Sequence, residues 1–148
     1  MPEGSSRDPR AQGVARRQSA ALPLLGAADS MRVVLVTSRD TRRWVVPKGW
    51  IESHEPPHRS AVREAFEEAG LHGEAEADPV GVYAYPKRFG SGAVVTTEVL
   101  VFRFRVSHLL EDWPERRERE RRLFTPDAAA DLVAEPGLAA LLRSLTGP

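Results

Sequence analysis

Through most of its first two thirds the chain alternates short apolar, β-branched runs with polar breaks, and it takes on helical periodicity in only a few places. Met31 to Thr37 (MRVVLVT) lies between a turn-like stretch at Gly26–Ser30 and a short polar loop, which predicts a buried strand. Ser19 to Leu24 reads as a first strand at a sheet edge, and Trp44-Val45-Val46 as a short strand ended by Pro47. Val80–Tyr85 and Ala93–Val106 read as two further strands joined across Lys87-Arg88-Phe89-Gly90-Ser91-Gly92, whose Gly and Ser suit a hairpin loop. Ala61 to Ala69 predicts a helix. Thr125 as N-cap with Pro126 in the first helical position predicts a second, running to about Ala134. Pro136-Gly137 interrupts it, and Leu138–Leu145 reads as a last short helix. Residues 1 to 18, rich in Gly, Ser, Pro and Arg and without periodicity, read as a disordered tail, leaving 19–148 as one domain. Many strands with one helix inserted early imply an α/β fold, a mixed sheet with helices packed on it.

Composition narrows the chemistry. A chain of 148 residues fits a single domain. The formal net charge is zero, so no global field points to nucleic acid or a membrane surface. No apolar run approaches the length of a membrane span, and the N-terminus lacks the apolar segment of a secretory signal. The expectation is a cytoplasmic protein with neither membrane nor nucleic-acid partner, monomeric or homodimeric. The absence of cysteine excludes disulfides, thiolate zinc sites and cysteine nucleophiles, so any metal must be held by oxygen or imidazole. His54, His58, His72 and His108 lack metal-ligand spacing and read as surface or loop residues. Basic charge is almost all arginine, whose planar fork suits bidentate contact with phosphate.

The informative stretch is residues 49 to 71, GWIESHEPPHRSAVREAFEEAGL. Glu64, Glu67 and Glu68 stand at i, i+3 and i+4 and share one helix face, with Val62, Ala65, Phe66 and Ala69 on the other side to meet the sheet. Pro56 and Pro57 sit where a helix is entered, and Gly70 where a left-handed C-cap is wanted. Three carboxylates on one face repel, and no lysine is interspersed to relieve them. A hard divalent cation such as Mg²⁺ or Mn²⁺ wants such oxygen ligands, and can clamp a diphosphate and activate a water. Taken alone, the three glutamates favour a solvated acidic helix, since acidic triplets on helices are common.

The whole segment resembles the signature of the Nudix hydrolase family, whose fixed positions fall here on Gly49, Glu55, Arg63, Glu64, Ala65, Glu67, Glu68 and Gly70, with Leu71 in the closing hydrophobic slot. The resemblance implies an α/β/α sandwich, and a metal-dependent hydrolase of nucleoside or other diphosphates linked to a second group. It implies that Glu64, Glu67 and Glu68 bind the metals, that the Gly49 carbonyl joins them, and that Arg63 and Glu55 form an orienting ion pair. Which glutamate serves as general base varies within the family. Outside this box, Thr37-Ser38-Arg39, the run Arg43–Trp50 and the later runs 110–115 and 119–124 resemble the diphosphoinositol polyphosphate phosphohydrolases and their bacterial relatives. That subgroup implies a small polyphosphate substrate held by Ser38, Arg39, Arg88 and Arg121. Lys48 and Lys87, from loops near the expected strand ends, join the candidate phosphate contacts. Lys48 and Trp50 depart from the glycines of animal members and favour a nucleotide, making diadenosine polyphosphates a second candidate class. Hydrolysis of ADP-ribose, nucleotide sugars or nucleoside triphosphates, and a ligand-binding module without catalysis, are the alternatives. Trp50, Tyr85 and Phe89 are placed to stack on a base, whereas Trp44 and Tyr83 read as core. Arg116–Arg122, alternating with Glu118 and Glu120, reads mostly as a self-neutralised solvated loop or helix.

Overall fold

The computed structural model describes residues 16–145. Among these residues eight strands form one mixed sheet: β1 (Arg16–Leu25), β2 (Arg32–Thr37), β3 (Trp44–Val45), β4 (Lys48–Trp50), β5 (Leu71–Ala75), β6 (Gly81–Arg88), β7 (Val94–Leu109) and β8 (Arg121–Phe124). Three helices accompany them: α1 (Pro57–Ala69), α2 (Pro126–Leu132) and α3 (Pro136–Ser144). The main path runs β3-β2-β1-β7-β5, with β4 paired to β1, β6 to β7 and β8 to β2. The parallel pair β1–β7 is the hub, in register from Arg16↔Thr97 to Leu24↔Arg105.

Period-two alternation sorts the strand residues onto two faces. Leu22, Leu24, Val33, Leu35, Val99 and Val101 meet Ala129, Ala130, Leu138 and Leu142 of α2 and α3. Ala21, Val34, Val36, Leu100, Phe102 and Phe104 meet Ala61, Ala65 and Ala69 of α1. This is the expected α/β/α sandwich. No helix among the described residues is long and apolar enough to cross a membrane.

Several expectations need correction. β1 starts at Arg16, so residues 16–18 belong to the sheet and not to the tail; the rest of the expected tail lies outside the described residues. β1 is no edge strand: it pairs on one side with β2 and β4 and on the other with β7. Its short run of small and apolar residues carries no mark of that centrality, which comes from long-range pairing. The β6–β7 hairpin pairs as far as Arg88↔Val94, so Lys87 and Arg88 are strand residues and the turn is shorter than expected. In α1 the sheet-facing stripe is Ala61, Ala65 and Ala69, all fully buried, whereas Phe66 remains 38% exposed. Alanines at this spacing let the helix lie close on β1. As anticipated, the Thr125 side chain accepts from the Ala128 N–H and caps α2.

Candidate active site

The end of α1 is organised by Gly70, which closes the helix in the left-handed conformation at φ 64°. A β-carbon there would also meet the Trp113 ring at 2.5 Å. Residues 110–121 then wrap the helix terminus: the Trp113 indole N–H donates to the Glu68 carbonyl at 3.1 Å, and the Glu115 N–H to the Glu67 carbonyl at 3.1 Å. This packing returns Arg119 to the acidic face of α1.

On that face Glu64, Glu67 and Glu68 line one cleft of about 430 Å³, together with Gly49, Ser38, Arg39, Lys48, Trp50, Tyr85, Lys87, Glu115 and Arg119. The acidic face is not the solvated side of an isolated helix. Glu64 is buried, its carboxylate packed over Gly49 of β4 so closely that a β-carbon at Gly49 would collide with it. That contact is a local physical reason for glycine at position 49. It also brings the residue-49 backbone beside the carboxylate.

Two arginines hold the carboxylates. Arg63 donates to Glu64 at 2.9 Å and to Glu55 at 3.0 Å, and the Ser60 hydroxyl donates to the same Glu55 oxygen at 2.7 Å. The Arg63 and Ser60 hydrogen bonds hold the Glu55 carboxyl below its ordinary pKa. Arg119, only 7% exposed, lies 3.4 Å from Glu68 and 2.7 Å from Glu115, and donates to the Thr37 carbonyl at 3.0 Å. The Lys48 backbone N–H reaches the other Glu68 oxygen at 3.3 Å. Burial, reinforced by the neighbouring Glu68 charge, pushes the Glu64 carboxyl up to about 8. Burial also raises Glu68, against the pull of Arg119 and Lys48, and lowers the Lys48 ammonium against the charges of Glu68 and Glu135.

A divalent cation fits this donor chemistry. Hard oxygen donors that burial and mutual repulsion drive toward neutrality are returned to their anionic form by such a charge. Among the described residues no three His, Asp or Glu side chains already stand arranged to hold a metal, and Arg63 and Arg119 each engage a carboxylate oxygen of this face.

Of the residues anticipated as phosphate contacts, Ser38, Arg39, Lys48 and Lys87 line the cleft. Ser38 also closes its own loop, bonding Thr41 at 2.8 Å, and Arg39 pairs with Glu118 at 2.9 Å. Arg88 and Arg121 do not line it. In β6 the inward positions are Tyr83, Tyr85 and Lys87, so alternation turns Arg88 to the opposite face. Arg121 lies on Trp113, 4.2 Å from the ring centroid, and donates to the Ala69 carbonyl at 2.8 Å and the Gly70 carbonyl at 3.3 Å. It thus satisfies the carbonyl end of α1. Sequence reasoning does not single out Arg119 and Glu115. Their i, i+4 spacing is visible in sequence, but the alternating charges around them read as solvated, and burial of one arginine among several depends on how the segment docks. Trp44 packs edge-on against Phe124 at 5.1 Å and Tyr83 is buried, as expected of core residues.

Comparison with known proteins agrees with this architecture. The NUDIX domain pattern matches residues 15–145. "Nudix hydrolase 12, mitochondrial" of Arabidopsis thaliana is 36% identical over 110 residues, covering 70% of this chain and 53% of the relative. Mouse diphosphoinositol polyphosphate phosphohydrolase 3-alpha is 32% identical over 100 residues, covering 68% of this chain and 57% of the relative. The chain therefore spans about half the length of the curated relatives it matches. Among solved structures, a Caenorhabditis elegans Ap4A hydrolase superposes with a TM-score of 0.66 at 16% identity, covering 87% of this chain and 93% of the other. The Escherichia coli dihydroneopterin triphosphate pyrophosphohydrolase gives 0.67 at 19%, covering 90% and 97%; at such identities these two matches speak to the fold. With the domain pattern spanning all the described residues and a relative above 30% identity, the chain belongs to the Nudix family.

Proposed function

We propose that the protein is a metal-dependent phosphohydrolase that cleaves a phosphoanhydride bond in a small polyphosphorylated substrate. The observation that carries this reading is the two-signed cleft: Glu64, Glu67 and Glu68 on one wall, Arg39, Lys48 and Lys87 on the others. Nudix hydrolases generally use divalent metal ions. Glu64, Glu67, Glu68 and the Gly49 carbonyl are the groups that would hold Mg²⁺ or Mn²⁺. When bound, such an ion supplies charge neutralisation at the diphosphate and lowers the pKa of an attacking water. The remaining work falls to the chain. Arg63, anchored by Glu55, orients Glu64, and Arg119, anchored by Glu115 and Thr37, orients Glu68. Arg39, Lys48 and Lys87 hold the more remote phosphates through charge-assisted contacts.

For substrate, the related diphosphoinositol polyphosphate phosphohydrolases support a polyphosphate longer than a simple diphosphate; the two candidates are a diphosphoinositol polyphosphate and a diadenosine polyphosphate. The test is product analysis across dinucleotide, inositol and sugar diphosphates with Mg²⁺ and with Mn²⁺. Metal-dependent release of phosphate or nucleotide from at least one long polyphosphate is expected. Undiminished hydrolysis after exhaustive chelation, or no hydrolysis of any compound, overturns the proposal.

A further inference from the structure

At the rim of the cleft, Trp50 of β4 and Phe89 beyond β6 face a common space. Their rings are nearly parallel, 14° between planes and 6.3 Å between centroids. Backbone geometry fixes both. Trp50 is held in register opposite Gln18 of β1. Phe89 sits in the β6–β7 turn, where its N–H donates to the Ala93 carbonyl at 2.8 Å and its carbonyl accepts from Gly92 at 2.9 Å. Trp50 itself lines the cleft with Lys48, Lys87 and Glu67. Over both rings lies one flat group, the Arg16 guanidinium, 4.2 Å from the Trp50 centroid and 5.3 Å from that of Phe89. The Lys87 ammonium is 6.0 Å from the Phe89 ring.

We infer that Trp50 and Phe89 form a stacking platform for a nucleobase, so that the protein selects nucleotide polyphosphates over inositol ones; this rests on the phosphohydrolase reading of the adjoining cleft. A guanidinium is planar, delocalised and weakly hydrated, and it stacks on aromatic faces for those reasons. A purine shares the flat delocalised face and gains from stacking whatever its sequence identity. The position that Arg16 holds over the two rings is therefore of the right shape for a base. A base laid there takes the place of the guanidinium. Its attached phosphates then run toward Lys87, Lys48 and the carboxylates of α1, with the displaced Arg16 charge beside them. An inositol ring is puckered, bristles with charged groups and has no flat face to offer two parallel aromatics. Lys48 and Lys87 serve either substrate, so the discrimination lies in Trp50 and Phe89.

The experiment separates base recognition from phosphate recognition and from turnover. Binding of α,β-methylene-ADP, which resists hydrolysis at its bridge, is measured beside methylenediphosphonate, which has the same bridged phosphonate pair and no base. Both are titrated calorimetrically into the full chain with Mg²⁺. The wild-type protein should bind the nucleotide about tenfold tighter or more, a difference of about 1.4 kcal/mol. Trp50→Leu and Phe89→Leu should each remove most of that difference and shift methylenediphosphonate less than twofold. Trp50→Phe, which keeps a flat ring, should retain most of it, and circular dichroism checks that each variant is folded. Equal affinity of wild type for the two probes, or a parallel loss for both probes in the leucine variants, overturns the platform. Hydrolysis is not part of the readout, so a protein that binds the nucleotide through Trp50 but cleaves nothing would sink the phosphohydrolase reading and spare this one.

Discussion

The acidic face of α1 and its carboxy-terminal end are both closed by arginines, and they use them to opposite purposes. On the acidic face Arg63 and Arg119 pair with carboxylates that burial drives toward neutrality, and the charges remain in contact with the cleft. At the terminus Arg121, two residues beyond Arg119, lies on Trp113 and donates to the last helix carbonyls, away from the cleft. Burial lowers its pKa, reinforced by the nearby Arg116. Strand alternation would put positions 119 and 121 on one side; they part because β8 begins only at Arg121, leaving Arg119 in the preceding loop. The lesson is that an arginine's type and distance in sequence from the carboxylates do not say whether it serves chemistry or the helix end.

The largest effects are expected at the carboxylates. Glu67→Gln and Glu68→Gln should each lower turnover at saturating Mg²⁺ by about 100-fold or more, since even residues that only support metal ligands matter by about 10–100-fold. Glu67→Gln should leave the metal-free thermal midpoint unchanged or slightly raised, because it removes like-charge repulsion along the helix. Near wild-type turnover in both variants would remove α1 from the chemistry.

Arg119 and Arg121 provide the direct contrast. Arg119→Met should lower turnover by about 10–100-fold through a loosened Glu68. It should also cost about 3 kcal/mol in denaturant unfolding, since it strands two partly buried carboxylates. Arg121→Met should cost about 1–3 kcal/mol through unsatisfied carbonyls, with KM and turnover at folded-protein levels close to wild type. Matching kinetic losses in the two variants would mean that both arginines serve the cleft.

The smallest effects belong to Arg39 and Arg88. Arg39→Ala should raise KM about tenfold for a long polyphosphate and less for ADP-ribose, as removal of a charged hydrogen bond of about 1.5–3 kcal/mol implies. Arg88→Ala should change stability by under about 0.5 kcal/mol and leave both KM values alone, because its side chain leaves the cleft face. A polyphosphate-specific KM increase in Arg88→Ala would show that the hairpin turns over on binding substrate.

Legible in the sequence alone were a helix over 61–69 with its glycine cap, a buried strand over 31–37, the capped entry to α2, and the grouping of Glu64, Glu67 and Glu68 with Gly49. These follow from periodicity, from single-residue conformational preference and from a motif whose parts lie within one local segment. The Glu55–Arg63 pair, eight residues apart in that same segment, was legible for the same reason. Tertiary structure alone decided that β1 is the centre of the sheet and that Glu64 is buried over Gly49. It likewise decided that Arg119 replaces Arg121 in the cleft and that Trp50 and Phe89 face one another. Each of these depends on which strand pairs with which, at separations up to about half the chain. Hydrophobic pattern says which side of a strand is covered; it does not say by what, and a charge run reads the same whether the docked segment leaves it in water or buries one member against a carboxylate.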